Sequence, residues 1–215
     1  SELVRLATGQ WALEAVCKVA GADERHNVKD VRKDNDYKPD FALEKQPHER
    51  AAEVIYAGGG NVVALFRSPA TAKDFAYQLT RRALEEAPGL SLVVAHDLFQ
   101  WDHEQQSGDR ALSQVVKDLI GLKLAERKAA RLPSAPMLGL GVTAACDSTG
   151  LVAVQTYKPP AERLRLISRE TRAKLVASEA ANQRLKDLFE PELGEWFGFP
   201  SEIDDLGRLK GEESY

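Results

Sequence analysis

The sequence predicts an α/β chain of the α+β kind, with an antiparallel sheet and packed helices. Two β-rich runs flank a glycine cluster at residues 58–61, and apolar residues recur at helical spacing on either side of that pair. The order that results is helix, hairpin, helix, strand, helix, strands, helix.

Between residues 2 and 20, Leu3, Leu6, Ala7, Leu13, Val16, Cys17 and Ala20 fall at helical spacing, with Gly9 weakening the middle and Gly21 marking the end. Residues 22–49 are crowded with Asp23, Glu24, Arg25, Lys29, Asp30, Arg32 and Lys33 and hold few large apolar residues, which predicts a charged surface insertion. Residues 52–57 and 62–66 are the β-rich runs. Gly58, Gly59, Gly60 and Asn61 between them tolerate positive φ, so the pair is a hairpin. Ser68 is a good N-cap and Pro69 a good first helical residue, after which Ala72, Phe75, Ala76, Leu79 and Ala83 share one helical face until Pro88-Gly89.

Residues 90–95 (Leu-Ser-Leu-Val-Val-Ala) read as a further strand, and residues 109–131 as a long helix with Leu112, Val115, Val116, Leu119 and Leu122 inward. Residues 137–145 and 151–155 read as short strands joined by a turn from Cys146 to Gly150. Ser168 caps a helix whose Leu175, Ala181, Leu185, Leu188 and Phe189 lie on one side. A domain of residues 1–190 is expected, followed by an acidic tail, 191–215, whose Trp196, Phe197 and Phe199 read as packing anchors. With a strand expected before Ser1, the first half becomes a split βαββαβ, the ferredoxin-like arrangement. Met137 is the sole methionine and Ser1 opens the chain, so the sequence reads as part of a longer protein.

The composition, 43% hydrophobic and 29% charged, is that of a folded globular chain. With 29 basic against 33 acidic residues the net charge is −4, so any nucleic-acid contact must be local and not driven by overall charge. Cys17 and Cys146 lie far apart without metal-ligand spacing, which fits a reducing cytoplasm. No apolar run reaches the roughly 18–20 residues of a membrane span.

The hairpin Tyr56-Ala57-Gly58-Gly59-Gly60-Asn61-Val62-Val63-Ala64-Leu65-Phe66 resembles that of GGDD-type palm domains of nucleotide-polymerising and cyclising enzymes. It is most similar to the second palm domain of the type III CRISPR effector large subunit and its stand-alone relatives. The run from Gly139 through Val142 to the turn at Cys146, and the helix after Ser168, resemble later segments of the same family. The resemblance implies a ferredoxin-like palm in a cytoplasmic antiviral defence protein, attached to the rest of a larger protein or effector complex. A second palm domain, RNA or a nucleotide would be its partners.

In active members two acids at the hairpin tip, with one on the first strand, hold two divalent cations. Here Gly60 and Asn61 stand at the tip positions, so one ligand is absent and the other is a neutral amide. The resemblance therefore implies a degenerate palm, structural or nucleotide-binding, with no catalytic residue of its own. Its nucleotide contacts would be Gly58, Gly59, Gly60, Asn61 and Lys174. An active nucleotidyltransferase or cyclase is the alternative, using Mg2+ or Mn2+ with ATP or GTP and drawing ligands from Asp97 or Asp147. A protein-interaction scaffold is the third possibility.

Two further patterns have plainer readings. His96-Asp97 and Asp102-His103 are residue types that suit metal ligation, but they read first as polar residues at a strand exit. Lys117, Lys123, Arg127, Lys128 and Arg131 suit phosphate contacts but also complement a helix C-terminus. Cys146 lacks any surrounding catalytic signature and reads as a small buried residue.

Overall fold

The computed structural model describes residues 2–20, 51–99, 112–131, 140–159 and 163–193, with side chains described as far as residue 189. The charged insertion, the residues Trp101, Asp102 and His103, and the aromatic tail fall outside the described residues. Packing divides the chain into two units, Ser1–Lys174 and Leu175–Tyr215.

In the first unit the expected N-terminal helix is two helices, α1 (Glu2–Thr8) and α2 (Gln10–Ala20), separated at Gly9. The chain turns there, while the Gly9 carbonyl still accepts the Leu13 N–H at 3.0 Å. A hairpin follows, β1 (Ala52–Gly58) and β2 (Asn61–Phe66), and then α3 (Pro69–Glu86). Ser68 is extended and its side chain accepts the Thr71 N–H at 3.1 Å, with Pro69 pre-set for the first turn, so the expected cap forms.

The core of this layer comes from the small and aromatic residues on the facing sides of these elements. Leu3, Ala7, Trp11, Ala12, Ala15 and Val16 are buried together with Ala52, Val54, Phe75, Leu79 and Ala83. Alanines at 7, 12 and 15 let α1 and α2 approach their neighbours closely, and α2 packs on both α3 and β1. The Phe66 and Phe75 rings, 5.1 Å apart between centroids, join β2 to α3. Full burial of each large apolar side chain contributes about 1.5–3 kcal/mol.

Above Trp11 the Arg82 guanidinium sits 5.0 Å from the ring centroid. It pairs with Glu14 and, at 2.8 Å, with Glu86. Burial pushes the Glu14 carboxyl up, but hydrogen bonds from Arg82 and Gln10 and the nearby cationic charge hold it below its usual range.

The next helical stretch starts as α4 (Leu112–Asp118), widens into a π-helix (Leu119–Leu124) and ends as α5 (Ala125–Ala129). A second hairpin pairs β3 (Ala153–Tyr157) with β4 (Arg165–Ser168), and α6 (Arg169–Leu193) follows directly. In the second unit the described part is the continuation of α6, where the Gln183 side chain bonds Asp187 one turn on at 2.8 Å.

The α+β class holds, with two separate two-stranded antiparallel sheets among the described residues. The four-stranded ferredoxin-like sheet is not formed among them. Residues 90–95, expected as a strand, belong to no strand ladder among the described residues; residues 91–95 make no backbone-to-backbone hydrogen bond with described residues, and the Val94 carbonyl accepts from Arg127 at 3.0 Å. A Leu-Val-Val run supplies β propensity, but a strand also needs a partner ladder.

The strand expected over 137–145 is likewise corrected where it is described: residues 140–144 turn, and Ala145 makes a single bridge to Val152. Its expected partner lies slightly later, at β3, whose first residue still donates its N–H to the Ala144 carbonyl at 2.9 Å while the strand pairs downstream with β4. Asp147 ties the turn to the Leu166 stretch of β4: its N–H donates to the Leu166 carbonyl and its side-chain carboxylate accepts the Leu166 N–H, each at 2.9 Å.

Candidate functional site

The tip of the first hairpin is the candidate site. Gly58 pairs with Asn61, leaving Gly59 and Gly60 as a two-residue loop. Their φ angles are +55° and +86°, the all-positive combination that matches a tight hairpin to the right-handed twist of its strands. Upstream, Val54 pairs with Ala64 and Tyr56 with Val63, so Ile55 is an extra residue in β1 and forms a bulge that re-aims the strand toward the tip.

Helix α1 lies against this tip. The Gly60 N–H donates to Thr8 Oγ1 at 3.3 Å, and the same hydroxyl donates to the Val4 carbonyl at 2.9 Å. A Cβ built on Gly60 would stand 3.6 Å from Val4, and one on Gly59 only 3.0 Å from the Tyr56 hydroxyl. Gly59, Gly60 and Asn61 are exposed, whereas Thr8 is buried. Of the backbone donors expected to face a phosphate, the one at Gly60 is already engaged by a side chain.

The remaining candidates lie apart in their bonding. Lys174 is exposed on α6, and among the described residues no hydrogen bond or ion pair links it to the tip. Asp97 accepts from Lys123 Nζ at 2.6 Å and from the Leu98 N–H at 3.0 Å. Asp147 is committed to Leu166, as described above. His96 is exposed, and among the described residues no three His, Cys, Asp or Glu side chains converge. At the tip the chemistry on offer is therefore a neutral amide, Asn61, and backbone groups.

No family model and no curated protein matches the chain.

A second polar constellation was not foreseen from the sequence. Cys146, 3% exposed, places its sulfur 3.3 Å from Ser148 Oγ and 3.7 Å from Thr171 Oγ1. Ser168 Oγ lies 3.2 Å from Thr171 Oγ1 and accepts from Thr149 Oγ1 and the Thr171 N–H, each at 3.3 Å. Burial pushes the Cys146 thiol up, yet side-chain and backbone hydrogen bonds from Ser148 and Thr149 outweigh it and hold the thiol at about 5.

The capping role of Ser168 and the turn at residues 146–150 were both legible. Their meeting was not, because it depends on the β3–β4 pairing that folds residue 148 back onto residue 171. Among the described residues no imidazole or carboxylate is bonded to the sulfur, so its side-chain partners are hydroxyls and no general base is in place.

Proposed function

We propose that the chain is a degenerate palm domain, related to the second palm of the type III CRISPR effector large subunit, that serves a structural part in a larger antiviral protein. The observation that carries this proposal is the tip, where the Gly60 N–H is bonded to Thr8 and the backbone turns through positive φ; on the resemblance, Gly60 and Asn61 stand where active palms carry acids. A two-metal site needs hard anionic oxygens, and losing two carboxylates removes about two negative charges from it. The tip is instead a pinned turn that fixes α1 against the hairpin.

In this proposal the finer fold is a ferredoxin-like palm whose sheet includes a strand beyond those described. Half-buried residues 92–95, without a backbone ladder among described residues, are in keeping with such a neighbour.

Calorimetric titration of ATP and GTP, with and without Mg2+ or Mn2+, tests the proposal. The expected result is no saturable binding. Binding strengthened by metal would overturn it in favour of a working nucleotidyltransferase, and binding indifferent to metal would replace the structural part with nucleotide sensing.

A further inference from the structure

We draw no further inference here: the strongest candidate, the Cys146 thiol held among the hydroxyls of Ser148, Thr149 and Thr171 at the start of α6, is a lone cysteine at a helix N-terminus with no second observation that points to a ligand.

Discussion

A methyl group on Gly60 has room, since its nearest neighbour would be Val4 at 3.6 Å, but the backbone there is at φ +86°. An L-residue pays about 1–2 kcal/mol for left-handed backbone. Gly60→Ala is therefore expected to lower the unfolding free energy by about 1 kcal/mol, and Gly59→Ala by more, because the Tyr56 hydroxyl must also move. Urea melts of the two variants against the parent check both size and order.

Cys146 gives a pH prediction with a definite sign. Its pKa is about 5 in the fold against an ordinary value of 9.0, so the folded state binds fewer protons and stability rises with pH between those limits. The contribution is complete above pH 9 and lost as the pH falls through 5. Melts of the parent and Cys146→Ala at pH 5, 7 and 9 should show the parent's advantage growing with pH; a constant difference would mean that the thiol stays neutral. The lack of acids at Gly60 and Asn61 was legible from the sequence alone, because it depends on residue identity. The Thr8 contact was not, because it joins residues 52 positions apart.

Among the elements, α3 was the easiest to read because its signals are local: a Ser-Pro start and apolar residues at 3.6-residue spacing. Removing the cap with Ser68→Ala leaves the Thr71 N–H without its side-chain acceptor and is expected to cost about 1 kcal/mol, measurable as a lowered denaturation midpoint at unchanged slope. Strands were harder. β4 was missed because Arg163 and Arg165 obscure any apolar alternation, and because Leu166 and Ile167 are fixed by Asp147 and by pairing with β3. Residues 90–95 show the opposite error, a β-rich composition without a described partner. Helical periodicity is written into one segment, whereas a ladder needs two.

At the scale of the molecule, α2 and α3 are joined through Trp11, which is buried beneath Arg82 while that guanidinium ties Glu14 to Glu86. Trp11→Ala would open a cavity and remove the cation–π contact together. A loss of about 3–5 kcal/mol is expected, enough to unfold much of the first unit, as thermal melting followed by far-ultraviolet circular dichroism would report. The sequence conveyed the α+β class but not which strands share a sheet, since only long-range pairing decides that. The π-helix at Leu119–Leu124 has a different consequence: a π turn accommodates one surplus residue without changing the phase of the helix on either side. The chain therefore holds a spare position near Gly121, where an added methyl would meet nothing within 4 Å, and losing one residue there would let α4 run into α5 as ordinary helix. The same loss within α3 would swing half of its apolar stripe by about 100° away from the core.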